Sequence, residues 1–506
     1  MKYVKPAFLF SVLFLAVSCT SNHASENFLI KPPADTEYGH HIPPDMPVPA
    51  ILMGDTWLVH FKNDLLPYWT MDGAKGVPQG NFPTFRQMDG QPIPSKGDRY
   101  PRMLGRQVFL YSLGFLMTGD ASLLQLAKDG LDWLIEKAYD KKYGGWYARL
   151  DAKGNPIPGL PKTAQDLAYA AQGPSAYFFV TRDPLAEKAV LESFGLIFDP
   201  AKYWDGENQR VKDALDDKMI SEIDLGNDGG WELTAQLDQV NAFMLLAQPV
   251  LTDPADRKKF LDGIGTICGT IVREFWSGGV FWGMHKNKGV FNSAHTDFGH
   301  TLKTYWMILQ ADKRLDGHPF KGFLFDNMFY WISLAFQESK GMWADKMTDY
   351  DKASQGGRSW WIYAECDQLA AAANLIDYRY IPLLGKTLTN WMKFVDKDYP
   401  CGEVYSGINY FGVKKADIPV ESDMKCNAWK NGFHSSEHAL VMYILGKNLE
   451  KKPVDLYFAV PPGQAGTFIA KPYIFEGTEH SRTNLGNIVI DGTTLSKVKV
   501  SFGEIY

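Results

Sequence analysis

At 506 residues, 45% of them hydrophobic, the chain can bury a large core, and length alone allows two or three domains. A formal charge of −6 with no Lys/Arg block argues against nucleic acid as a partner. Its 15 Trp and 24 Tyr fit either a large helical core or a carbohydrate cleft, where flat rings stack on apolar sugar faces and polar rims bind hydroxyls.

In chain order, an export signal comes first. Lys2 and Lys5 precede an apolar run from Ala7 to Val17 that is too short for a stable membrane span. The run ends Leu15-Ala16-Val17-Ser18-Cys19, followed by polar Thr20-Ser21-Asn22, which resembles a bacterial lipobox. Residues 1–19 then read as a lipoprotein signal, with Cys19 the lipidated first residue of the mature chain. That expectation places the protein in the cell envelope, held to a membrane by its lipid alone. An ordinary secretory signal with a chance cysteine gives export without the anchor. Residues 20–50 are polar and Pro-rich and read as a tether. The spacings of Cys268, Cys366, Cys401 and Cys426 match no zinc pattern, and no cofactor or metal is called for. Cys401 and Cys426 can pair across a loop, or the thiols can be free and buried.

From 51 to 450 the dominant period is helical. Apolar residues recur at three/four spacing in Arg106–Gly119, Ala121–Ala138, Asp166–Val180, Glu232–Leu251, Asp253–Phe275, Asp297–Lys313, Phe320–Glu338, Trp360–Ile376, Tyr380–Val395 and His434–Leu449. Asp183-Pro184 and Asp253-Pro254 mark breaks between them. Recurring aromatic segments beginning at Gly144, Gly278 and Gly402 carry hairpin signals, with turns expected near Lys153-Gly154-Asn155, Lys286–Gly289 and Asn409–Gly412. The expected fold is all-α: an (α/α)6-7 barrel with short β-hairpins on one rim. Residues 451–506 change texture, with strands expected at Val454–Val460, Thr467–Ile474 and Ile488–Phe502, as a small β-rich extension.

The chemistry concentrates in a few helices. His300 and Lys303 of the run His295–Trp306 stand one turn apart on one face. Tyr305, Tyr363 and Tyr405 are candidate proton donors, and Trp360 and Trp361 are flat surfaces for a sugar. His434-Ser435-Ser436-Glu437-His438 matches an inverted zinc-protease signature, but no third ligand is evident.

The blocks Gly105-Arg106-Gln107, Gly299-His300, Trp360-Trp361-Ile362-Tyr363-Ala364-Glu365 and Trp429-Lys430-Asn431-Gly432-Phe433-His434, in this order, resemble the N-acylglucosamine 2-epimerase and cellobiose 2-epimerase superfamily. The resemblance spans roughly residues 100–446 and implies an (α/α) barrel. It also implies that Arg106, His300 and His434 line the pocket, with the two histidines as an acid/base pair. Four positions depart from the family pattern: Lys303 replaces a Glu, Asp238 and Asn241 replace a His and a Glu on an inner helix, and Tyr363 replaces a Gln.

An ammonium in place of a carboxylate favours a neutral His300 and an anionic substrate group. The expectation is therefore β-elimination, as lyase or dehydratase, on an acidic, uronate-containing oligosaccharide. His300 or His434 serves as base, Tyr305 or another tyrosine as acid, and Lys303 and Arg106 hold the carboxylate. Trp360, Trp361, Tyr363, Glu365, Asp238, His295 and Tyr405 are expected to bind substrate. The alternatives are a sugar 2-epimerase or aldose–ketose isomerase, and an inactive glycan-binding lipoprotein.

Overall fold

A computed structural model describes residues 32, 36–39, 47–226, 229–354, 358–397, 402–408 and 424–506. The proposed signal with Cys19, and most of the expected tether, lie outside them. No helix among the described residues is long and apolar enough to cross a membrane.

The body alternates outer and inner helices. In chain order these are α1 (Gly54–His60), α2 (Pro101–Thr118), α3 (Ala121–Trp133), α4 (Ala164–Thr181), α5 (Pro184–Ile197) and α6 (Leu233–Gln239). There follow α7 (Pro254–Phe275), α8 (Phe298–Asp312), α9 (Lys321–Ala335), α10 (Trp360–Asn374), α11 (Ile381–Trp391) and α12 (Phe433–Leu449). The even-numbered helices form the inner ring. α2 packs on α4, α4 on α6, α8 on α10, α10 on α12, and α12 returns to α2. This is an (α/α)6 barrel, as expected, and α1 is a helix that the periodicity did not mark.

The two rings differ in composition for a physical reason. Nearly every residue of α2, α4, α8 and α12 is buried, because an inner helix touches protein on all sides. Outer helices such as α7 bury one stripe and expose the other. Caps set their starts: Asp183 and Asp253 accept from the first-turn amides of α5 and α7, each with Pro at the first helical position.

Outer helices run into tight hairpins at one rim. Trp204–Asp205 pairs with Arg210–Val211, Trp276–Ser277 with Val280–Phe281, and Phe336–Gln337 with Met342–Trp343. Tyr139 bridges Trp146, and Val395 bridges Val404. The turn expected at Lys153-Gly154-Asn155 is present, closed by the Leu150–Pro156 bridge. Gly144-Gly145 and Gly278-Gly279 are further turns that the sequence reading took as strand starts, all at positive φ between 61° and 90°. The turn expected at Asn409–Gly412 lies outside the described residues.

The extension forms an antiparallel sheet in the order β1 (Val454–Val460), β3 (Thr493–Gly503), β2 (Thr478–Ile490). β1 packs against α2, α4 and α12. Two expectations are corrected. The run Ile488–Phe502 is broken by a turn at Asp491-Gly492, where both φ angles are positive. Residues 467–474 are not a strand; Phe468, Tyr473 and Ile474 are buried side chains that anchor a loop. Part of the expected tether also packs down, since the Tyr38 hydroxyl donates to Asp312 at the end of α8, 2.7 Å away. Cys268, Cys366 and Cys426 are buried free thiols, and Cys401 lies outside the described residues.

Candidate active site

The first turns of the inner helices converge on one cavity of about 230 Å³. Its walls are Arg102 and Arg106 from α2, Gln165 and Tyr169 from α4, Asp238 from α6, His300 and Lys303 from α8, Trp360 and Trp361 from α10, and His434 from α12, closed by His295 and Trp429. Each lies within about two turns of its helix start, where Cβ vectors tilt toward the N-terminus and so toward the mouth.

His300 is held by one acidic residue twice. Asp297 caps α8 by accepting from the His300 backbone amide, and its other oxygen meets His300 Nδ1, each at 2.8 Å. Burial would raise the Asp297 pKa, but His300 outweighs it and holds the carboxyl below its ordinary value. An ionised Asp297 holds the Nδ1 hydrogen, which leaves Nε2 as the ring nitrogen that faces the cavity. The ring packs edge-on against His295 and Trp361, at 5.0 and 4.8 Å between centroids.

His434 sits deeper. Its ring lies 4.3 Å from Phe433 and about 6 Å from Trp360 and Trp361. Burial, then the charges of Arg106 and Lys303, drive its pKa well below the usual histidine value, so it is neutral at pH 7. Nδ1 lies 3.2 Å from Glu365 Oε1, without hydrogen-bond alignment between them. Burial pushes the Glu365 carboxyl up to about 8.

Lys303 is not the free cation that the sequence suggested. Its ammonium donates to Asp238 Oδ1 at 2.8 Å and to the Tyr169 hydroxyl at 3.1 Å. Tyr169 also donates to that oxygen, and Gln165 donates to Asp238 Oδ2. Burial opposes the ammonium, but Asp238 outweighs it and raises the Lys303 pKa. Lys303 and Asp238 thus neutralise each other across the pocket wall. Arg106 instead lies 3.7 Å over the Tyr169 ring and donates to the Trp429 carbonyl at 3.3 Å.

Three expected site residues point elsewhere. The Tyr305 hydroxyl donates to the Gly279 carbonyl at 2.7 Å, on the side of α8 that packs on a rim hairpin. Tyr363 donates to the Thr387 carbonyl at 2.9 Å, against α11. Tyr405 donates to Asp396 at 2.7 Å. All three are core residues outside the cavity, with hydroxyls satisfied by the fold. Glu365 stands behind His434 and does not line the cavity. Arg102, Gln165, Tyr169 and Trp429 line it without having been expected; Arg102 lies one turn from Arg106, and Gln165 one turn from Tyr169. Asn241, beside Asp238 in sequence, is buried but outside the lining.

Glu365, His434 and Glu437 bring ligand-type atoms within 4.8 Å of one another. Their carboxylate oxygens already engage Gln368 and Tyr473. His438 turns away to Asp367, at 2.9 Å, so the His-x-x-Glu-His spacing does not form a zinc-protease site.

Two further cavities, of about 350 Å³ each, flank the first and share Trp429 with it. Trp429 is 64% exposed and stacks over the Arg102 guanidinium at 4.2 Å. It forms a common wall of all three cavities.

Comparison with known proteins agrees with this architecture. The N-acylglucosamine 2-epimerase family model matches residues 80–227. A cellobiose 2-epimerase of Ruminococcus albus is 22% identical over 393 residues, covering 76% of this chain and 97% of that enzyme. A cellobiose 2-epimerase of Bacteroides fragilis is 27% identical over 123 residues, 24% of this chain, and the chain spans only 30% of that relative's length. Among solved structures, cellobiose 2-epimerase from Spirochaeta thermophila covers 78% of this chain and 97% of its own, with a TM-score of 0.66 and 17% identity. A D-mannose isomerase covers 78% of this chain and 99% of its own, with a TM-score of 0.63 and 17% identity. These structures share the barrel fold.

Proposed function

We propose that the protein is a carbohydrate-active enzyme that moves the proton at C2 of a reducing sugar, as a 2-epimerase or aldose–ketose isomerase. The observation that carries this reading is a pair of differently held histidines, His300 on Asp297 and His434 beside Glu365, facing one small cavity. His300, with a bare Nε2, takes the proton from C2 of the open-chain sugar. Arg106 stabilises the enediolate oxygen as charge develops there. His434 returns a proton to the same carbon, giving the epimer, or to C1, giving the ketose. In the reverse direction the roles exchange. The cellobiose 2-epimerase relatives support this reading. Trp429 and the flanking cavities favour an oligosaccharide whose reducing end enters the catalytic cavity.

The elimination reading loses half its cation pair, because Lys303 is neutralised by Asp238. One observation still favours it: no carboxylate of this chain pairs with Arg106 in the described residues, which leaves the guanidinium for a uronate. A single experiment separates the two. Neutral disaccharides are incubated in D2O and followed by NMR for deuterium at C2 and for new epimers, beside uronide oligosaccharides followed for ultraviolet-absorbing unsaturated products. Deuterated epimer supports proton transfer at C2; unsaturated uronide without exchange sinks it.

We also propose that the protein is exported and lipid-anchored through Cys19 in the cell envelope, supported by the lipobox-like sequence. Cys19→Ala is expected to move it from the membrane to the soluble fraction. Retention at the membrane would remove the anchor.

A further inference from the structure

The C-terminal extension reaches the layer that supports His434. Phe468, Tyr473, Ile474 and Phe475 are buried between β1 and β2, and Arg314 at the end of α8 donates to the Ile474 carbonyl at 2.8 Å. Tyr473 is 2% exposed and stands at φ +63°, a conformation costly for a non-glycine residue that the surrounding packing must hold. Its hydroxyl donates to Glu437 Oε1. The other Glu437 oxygen accepts from Gln368 Nε2 at 3.4 Å, and the same amide donates to Glu365 Oε2 at 3.2 Å. Glu365 Oε1 faces His434 Nδ1. A chain of side chains, hydrogen-bonded from Tyr473 as far as Glu365 and completed by the 3.2 Å approach of Glu365 to Nδ1, thus links the extension to His434.

Two fully buried carboxyls that share one amide donor cannot both carry charge cheaply. Burial raises both, Glu365 to about 8 and Glu437 to about 7. The surrounding groups are Lys303 and Arg106, which favour charge on either carboxyl, Asp238, which opposes it on Glu365, and Tyr473, which favours it on Glu437 alone.

We propose that Tyr473 is a positioning residue for His434: by donating to Glu437 it keeps that carboxyl ionised and leaves the pair's proton on Glu365, whose O–H then faces His434 Nδ1 and holds the imidazole hydrogen on Nε2. The consequence for catalysis rests on the C2 proton-transfer reading. When His434 gives its Nε2 proton to the substrate, the Glu365 proton moves to Nδ1, leaving a neutral imidazole and a Glu365 carboxylate. The reverse transfer takes the substrate proton onto Nε2 and returns the Nδ1 proton to Glu365. The extension is therefore part of the proton circuit as well as a cover for the barrel.

The test needs no substrate, so it stands or falls apart from the enzymatic reading. The full chain is labelled at histidine, the His434 resonances are identified by their loss in His434→Asn, and the tautomer is read from the two ring-nitrogen shifts. The expected wild-type form carries its hydrogen on Nε2. Tyr473→Phe transfers the pair's proton toward Glu437, and His434 is expected to shift to the Nδ1–H form. Glu437→Gln, which keeps an acceptor for Tyr473 but leaves Glu365 alone to ionise, is expected to do the same. It carries the test if Tyr473→Phe does not fold. A wild-type Nδ1–H form, or an unchanged tautomer in the folded variants, overturns the proposal. In the active enzyme the basic limb of the kcat profile is expected to move to lower pH in both variants, a change that a purely structural tyrosine would not produce.

Discussion

The two histidines of the cavity have opposite supports. His300 is half-buried and rests on Asp297, a carboxyl held below its ordinary pKa. His434 is buried against aromatic rings and rests on Glu365, a carboxyl pushed up to about 8. An ionised support demands a hydrogen on Nδ1 and leaves Nε2 a base. A protonated support supplies the hydrogen itself and leaves Nε2 an acid. On the proposed reading one barrel makes two imidazoles of different character by the choice of carboxyl environment behind each, as a base and an acid facing one carbon require.

The comparison breaks most severely if either ring is removed. His300→Asn and His434→Asn should each lower kcat by about 10²–10⁴-fold with the fold intact by circular dichroism, the range for a lost general acid or base. Near-wild-type turnover in either would dissolve the pairing. Asp297→Asn should follow, with a loss of about 10²-fold or more, because an amide facing Nδ1 can donate and select the wrong tautomer of a base.

Glu365→Gln sharpens the contrast: an amide can keep the His434 hydrogen on Nε2 but cannot pass a proton to Nδ1, so kcat should fall by about 10²-fold or more while the tautomer is unchanged. A loss below about tenfold would mean that His434 gives up its proton without a relay from Glu365. Lys303→Met leaves Asp238 buried and unpaired, and should cost about 3–5 kcal/mol in denaturant unfolding. Adding Asp238→Asn should recover much of that loss.

The smallest effect is in pH dependence. Glu365 and Glu437 have folded pKa values above their unfolded ones, so the folded state holds the extra proton between about pH 4.5 and 8. Their contribution is fully present below the unfolded pKa and is lost as pH rises through the folded value. Tm should therefore decline from pH 5 to about pH 8 more steeply in the wild type than in Glu437→Gln. Parallel profiles would show that the carboxyl pair does not titrate in this window.

Much of the barrel was legible because inner and outer helices leave strong periodicity and Asp-Pro starts. Gly299-His300 and the Trp360-Trp361 pair fell in the cavity for the same reason: they open inner helices. What failed is instructive. On a helix buried all round, such as α8, apolar spacing cannot say which face looks inward, so Tyr305 was placed in the cavity although its hydroxyl serves the Gly279 carbonyl. Lys303 was read as a free charge because its partner, Asp238, stands 65 residues away on another helix. Tyr473 lay in an alternating run that resembled a strand, and nothing in its neighbours pointed to Glu437.

The buried loop at Phe468, Tyr473 and Phe475 has a further consequence for how a glycan meets this protein. Among the described residues these side chains fill the end of the ring away from Trp429. On the proposed reading a glycan terminus enters beside Trp429 and the product leaves by the same route, so product is expected to compete with each incoming sugar for that opening.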